Sequence, residues 1–465
     1  MTIDLRLSGG RIATPHGVVD ADLLVSGERI AGIVSRETAV DAARTIDVTG
    51  KLVLPGMVDV HVHTREPGYT HKEDIRTTTE QAAAGGVTTI FGMPNLDPPT
   101  TDTATLRDVF GMYERSSIVD YNHNPAPTKL DEVVAMSEMG IRAYKIYMVV
   151  DTGRTYPHPA GTGMHDHGHL LQLMDIIATT GKRFIIHPHD QALMDYIEGE
   201  ILARGENTPQ GYATAYAARE GVIWDTAIDV VLRLAEASGC PIHIAHIQTP
   251  RSIEAVRRAK ANGVDVTCEV NHWAPFLSTW DDVERLGPYA LSYWLPDENR
   301  AAVWEGMRDG TIDIASSDHA PHTREEKEVG WTEMWSAHTG TPGIQYYYPL
   351  MLDAVNKGQL TLDRVVDMVA TQPAAAFGLE GVKGVLEVGA DADIVVADLN
   401  APWTITNDGV LSRIEWTCYD GREISARIDR TFVRGHEVFA DGVVTGAPGT
   451  GKLALSSTDR EGNAR

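Results

Sequence analysis

Cysteine is scarce in this chain: Cys240, Cys268 and Cys418 are the only three among 465 residues. Their spacing builds no framework and their odd number leaves at least one thiol unpaired. A disulfide-stapled fold is thereby excluded, and a reducing compartment, the cytoplasm, is expected. Long apolar runs are missing as well. No stretch reaches the ~18–20 residues that a membrane-crossing helix needs. The opening Met1-Thr2-Ile3-Asp4-Leu5-Arg6 lacks the basic-then-apolar order of a signal peptide. Cations are in deficit, 40 Lys and Arg against 65 Asp and Glu, for a formal charge of −25. Binding to nucleic acid needs clustered cations, so that class is set aside too. What is present is ordinary globular composition, 43% hydrophobic and 23% charged. The length suffices for one large domain and a smaller companion without staples.

Alternation of apolar and polar positions marks short strands at both ends of the chain. Asp4–Leu7, Val19–Val25 and Arg29–Ile33 read as antiparallel strands near the start. Ala392–Ala397 and Arg430–Gly435 repeat the texture near the end. The two β-rich ends predict one small, discontinuous β-sandwich from residues 1–54 and 388–450. A polar tail over 451–465 is expected to fray. Between them, residues 55–387 alternate strand and helix. The strands are Val58–His63, Val87–Met93, Ser117–Asn122, Ala143–Val149, Phe184–His187, Ile242–Ile247, Asp265–Val270 and Ile312–Ser316. Eight apolar strands in this alternation predict an α/β fold, a (β/α)8 barrel of the TIM type. A doubly wound sheet is the rival. The barrel is preferred because polar residues gather at the ends of several different strands, where barrel sites lie.

Those polar ends carry the chemistry. In the first strand His61 and His63 are two apart and share a face, so both can grip one ion. The fifth strand ends in His187. The sixth holds His243 and His246 on opposite sides, and His246 lies nearer the C-terminal end. The eighth ends Ser316-Ser317-Asp318-His319-Ala320-Pro321-His322. Imidazoles and a carboxylate converging there suit Zn²⁺ or a similar divalent ion. Lys145 lies inside the apolar fourth strand, where a cation is costly unless paired, neutralised or allowed to reach solvent. Carboxylation by CO₂ would convert it to an anionic carbamate able to bridge two metals.

These residues resemble the metal-dependent amidohydrolases, in the cyclic-amidase branch of dihydroorotase, hydantoinase, dihydropyrimidinase and allantoinase. The motifs are Gly56–His63, Gly85-Gly86-Val87-Thr88-Thr89, Met93-Pro94-Asn95, Lys145, His187, His246, Ser317-Asp318-His319 and Gly389–Ile394. The likeness implies that His61, His63 and Asp318 hold one metal and His187 and His246 another. Carboxylated Lys145 would bridge two ions, zinc foremost. It also implies hydrolytic opening of a cyclic amide, with Asp318 as proton shuttle, in a homodimer or homotetramer. Arg65-Glu66-Pro67-Gly68 with His71-Lys72-Glu73-Asp74 is most similar to dihydroorotase. There the arginine and the asparagine would clamp a substrate carboxylate, here Arg65 and Asn95. Asp318–Thr323 and Gly340–Ile344 point the same way and add His322 and Gly343 as substrate contacts.

Other segments differ. Residues 291–297 replace the usual Pro-Pro-Leu-Arg-like stretch, Val150 stands where hydantoinases tend to carry a tyrosine, and Asp281–Tyr289 and Glu328–Trp331 look hydantoinase-like. His165–His169 is read as the opening of a helix rather than a third metal site. Gly446–Lys452 fails as a phosphate loop because Leu453 replaces the required Ser or Thr.

Overall fold

Short strands of two to six residues, most of them largely apolar, form the inner wall of the molecule. A computed structural model describes residues 2–149, 159–290 and 297–463. The wall comprises β1 Met57–Val62, β2 Val87–Gly92, β3 Asp120–His123 and β4 Ala143–Tyr147. It continues with β5 Arg183–His187, β6 Ile242–Ile244, β7 Val266–Val270 and β8 Ile314–Ala315. Parallel pairing runs β1–β2–β3 and β4–β5–β6–β7–β8. Two main-chain bonds join the arcs into a ring: Lys145 N donates to Pro125 O just past β3, at 3.0 Å, and His63 N to His319 O just past β8, at 2.9 Å. The result is the (β/α)8 barrel.

Helices sheathe the ring, and several are started by a side chain that satisfies free N–H groups of the first turn. Asp74 caps Ile75–Ala84, Asp102 caps Thr103–Ser116 and Thr249 caps Pro250–Ala261. Asp166 caps His167–Thr180, so the histidine-rich segment opens that helix.

Two departures from the sequence pattern matter for the site. The β1–β2 register shifts between Asp59 and Val62. Val60 therefore packs in the same inner cluster as Ala143 and Ile185, while the adjacent His61 joins His63 at the mouth. Strand β6 stops at Ile244 instead of running to Ile247, because His246 adopts a left-handed conformation with φ 39°.

Residues from both ends of the chain form two facing sheets. One has four strands in the order 29–34, 22–26, 3–8, 42–47. The other has seven, 443–444, 436–440, 427–433, 394–398, 52–55, 11–14, 17–20. Leu7, Leu23, Val53, Ile394 and Phe432 fill the space between. The expected strand Val19–Val25 is two strands, one in each sheet. The break falls at Ala21, next to buried Asp22, whose carboxylate accepts from Arg6 and from Gly9 N. Ile3–Ser8 also pairs in parallel with Ala42–Asp47, where only antiparallel pairing was expected.

The tail does not fray before Asn463. Leu453 bridges Tyr121 of β3 in parallel, Ala454 is buried, and Ser457–Asn463 is helical. Main-chain bonds and the pairing of Arg460 with Asp391 at 2.7 Å outweigh the polar composition.

Candidate active site at the C-terminal mouth of the barrel

His61 and His63 each bring Nε2 to 3.2 Å from the same atom, Asp318 Oδ1. Burial holds both imidazoles below their usual pKa, His63 well below with Arg65 adding to the effect. Nδ1 of His63 donates to Asn95 Oδ1 at 2.8 Å, which leaves its Nε2 as a lone pair. Ligand atoms of His61, His63 and Asp318 thus lie within 4.8 Å of one another. Neutral imidazole nitrogen and carboxylate oxygen repel at such range unless a cation sits among them. The donor set therefore fits a divalent metal.

A second pair adjoins the first. Nδ1 of His187, at the end of β5, is 2.7 Å from Nε2 of His246, and the His246 ring centroid is 6.0 Å from that of His61. His246 is held well below its usual pKa by burial and then by Lys145. Arg65, His246 and Asp318 all have positive φ, at 61°, 39° and 46°. Three non-glycine residues in this region at one mouth is the pattern of backbone strain concentrated at functional sites.

Lys145 is fully buried on β4, and its Nζ has no hydrogen-bond partner among the described residues. Burial lowers its pKa to about 8, even though the Glu269 and Asp318 charges oppose the shift. An orphaned, easily deprotonated amine between two histidine groups is a position where an added carboxylate would fit.

Two buried acids went unnoticed in the sequence. Asp59 accepts from Ser317 N at 3.0 Å and His61 N at 3.2 Å, tying β1 to the end of β8, and burial raises its pKa to about 7. Glu269, on β7, lies behind His61 with Oε1 2.5 Å from Nδ1. Burial opposes its charge, but His61 and His243 outweigh that and hold the carboxyl well below its usual value. The available signal was the same one that exposed Lys145: a charged residue inside an otherwise apolar strand.

The four expected substrate contacts are only partly brought together. Arg65 is buried; its Nε donates to Pro321 O at 3.2 Å and its Nη2 lies 3.0 Å from His322 Nε2. His322 in turn faces Lys72 Nζ at 3.2 Å and Glu326 at 3.4 Å. Asn95 is bonded to His63, and Gly343 N donates to His319 Nδ1 at 3.2 Å. A Cβ at Gly343 would fall 2.2 Å from the His272 ring, so only glycine fits there. Val150 and residues 291–296 lie outside the described residues.

Comparison with known proteins agrees with this geometry. The amidohydrolase family profile matches residues 52–438. L-hydantoinase of Paenarthrobacter aurescens is 31% identical over 461 residues, covering 97% of each chain. Dihydroorotase of Lactobacillus leichmannii is 32% identical over 441 residues, 93% of this chain and 97% of that one. The solved structure of L-hydantoinase from Arthrobacter aurescens superimposes with a TM-score of 0.92 at 30% identity, over 98% of this chain and all of that one. Identities this even do not separate hydantoinase from dihydroorotase. With its barrel, its paired histidine groups and these relatives, the chain belongs to the amidohydrolase family, in the branch of hydrolases that open cyclic amides.

Proposed function

We propose that the protein opens a five- or six-membered cyclic ureide or imide bearing a carboxylate, with dihydroorotate, to N-carbamoyl-aspartate and back, as the leading substrate. The observation that carries this reading is Arg65. Its guanidinium is buried at the mouth, close enough for its charge to act on both His63 and Asp318. A buried guanidinium beside the reacting groups suits a planar carboxylate on the ring.

His61, His63 and Asp318 would hold one divalent ion and His187 and His246 another, zinc being favoured by the donors, with carboxylated Lys145 between them. Bound there, the ions would supply an acidified water and polarise the ring carbonyl. The chain's own residues do the rest. Lys145, with a pKa near 8, offers a fraction of neutral amine at pH 7. That amine takes up CO₂ and releases one proton to become a carbamate. Asp318 receives the proton of the attacking water and returns it to the ring nitrogen as the C–N bond breaks. Arg65, steadied by His322, would orient the ring.

The second reading is an uncharged hydantoin-type ring. It is favoured by the relatives named hydantoinase and by the contact that already engages Arg65 with His322. Assay of purified protein and of Arg65→Ala on dihydroorotate, hydantoins, dihydrouracil and allantoin separates the two. Under the first reading, Arg65→Ala loses dihydroorotate turnover by ~10²-fold or more and keeps any activity on uncharged rings. Wild-type turnover of hydantoins alone would establish the second.

A further inference from the structure

Glu269 is buried from solvent, and four groups converge on its two oxygens. Oε1 lies 2.5 Å from His61 Nδ1 and 3.3 Å from Asn271 Nδ2. Oε2 lies 3.2 Å from His243 Nε2 and takes a short hydrogen bond from Ser316 Oγ. An ionised carboxylate only accepts, and it has about four lone-pair sites. Each of the four neighbours therefore turns a proton toward Glu269. For His243 this is self-consistent, since its other nitrogen, Nδ1, faces the Thr267 hydroxyl at 2.8 Å and can accept from it. For His61 it has a consequence at the mouth. A neutral imidazole has one N–H; with that proton on Nδ1, Nε2 must be the lone pair, and Nε2 is the atom that faces Asp318.

We propose that Glu269 is a positioning residue that fixes the tautomer of His61 and so creates one metal-ligating nitrogen of the site. This rests on reading His61, His63 and Asp318 as a metal centre. The carboxylate on β7 and the histidine on β1 are brought together across the barrel, so the ligand is made usable by a strand that contributes no ligand itself. His243 shares the same acceptor and acts as a brace that keeps Glu269 saturated from the far side.

Glu269→Gln replaces one accepting oxygen by an NH₂ donor. The amide can then satisfy His61 or the Ser316–His243 side, but not both. Zinc affinity of the variant, measured by competition with a chromophoric chelator, should weaken ~10–100-fold, the range for losing a partner behind a metal-bound histidine. Circular dichroism would verify that the variant is folded. A folded variant with wild-type zinc affinity overturns the proposal. Nitrogen-15 NMR of metal-free wild type, with His61→Asn to assign the ring, tests it without any variant at Glu269. A proton on Nδ1 of His61 supports it, and a proton on Nε2 overturns it. If wild type binds no zinc while Nδ1 carries the proton, the metal centre fails and the tautomer lock stands.

Discussion

Among the described residues, two fully buried groups offer three acidic or imidazole ligands within metal-binding distance, and they sit at different places in the fold. At the mouth are His61, His63 and Asp318; where the β-domain meets the barrel are Asp120, Asp391 and Asp393. In the second group the chain supplies the cations itself. Lys383 Nζ lies 2.6 Å from Asp393, 3.0 Å from Asp391 and in short contact with Asp120. Arg434 also pairs with Asp120, and Arg460 with Asp391. At the mouth the buried lysine, Lys145, makes no hydrogen bond among the described residues, and the acceptors face one another. Ligand spacing alone cannot distinguish a metal site from an ionic clasp. The partner of the nearest buried lysine can.

The contrast is broken most severely at Lys145. Lys145→Ala should lower turnover by at least ~10²-fold and reduce bound metal measured by atomic absorption, with partial recovery on adding a short carboxylic acid. Full activity in this variant would remove the carbamate from the mechanism. The converse change is Lys383→Met, which strands three carboxylates with fewer cations. It should cost about 3–5 kcal/mol in chemical denaturation, the scale for breaking a buried ion pair, while kcat and metal content of the folded protein stay unchanged. A loss of metal in Lys383→Met would mean the two clusters are coupled.

The smallest effect is a response to acid. Asp391 is held down to about 2; burial opposes this, but Arg460 and Lys383 prevail. A carboxyl lowered on folding stabilises fully above its ordinary range near 4 and loses that contribution as pH falls toward 2. The stabilisation is about 2 kcal/mol. Melting temperature between pH 5 and 2 should therefore drop less steeply in Arg460→Gln, whose Asp391 keeps only Lys383. Parallel curves for the two proteins would exclude Asp391 as the titrating group.

Much of the mouth is legible in the sequence because it follows from local rules. His61 and His63 stand two apart at a strand end, His187 ends an apolar strand, and Asp318 follows another within three residues. Lys145 betrays itself as a charge in an apolar run. Glu269 carries the same mark in Cys268-Glu269-Val270, but its meaning depends on His61, over two hundred positions away. The left-handed turn that brings His246 to the mouth is likewise invisible to strand periodicity. So is the break at Ala21, which depends on the partner of Asp22, and the ordering of the tail, whose polar residues find Asp120, Tyr121 and Asp391 only once the fold exists.

The seam between the two ends of the chain sets a timetable for synthesis. Leu54 pairs with Val395 and Val53 with Val396, so the first edge emerges from the ribosome about 340 residues ahead of its neighbour. At ~5–20 residues per second that is a delay of roughly 20–70 s. Throughout it the strand Leu52–Pro55, apolar on all four residues, has no Ile394–Asp398 beside it. Most barrel strands follow their partners closely and are free to assemble during that interval, although closure of the ring waits for His319 to reach His63. The nascent chain thus carries an open sheet edge for most of its translation, and such an edge can template pairing with another chain until its own partner arrives.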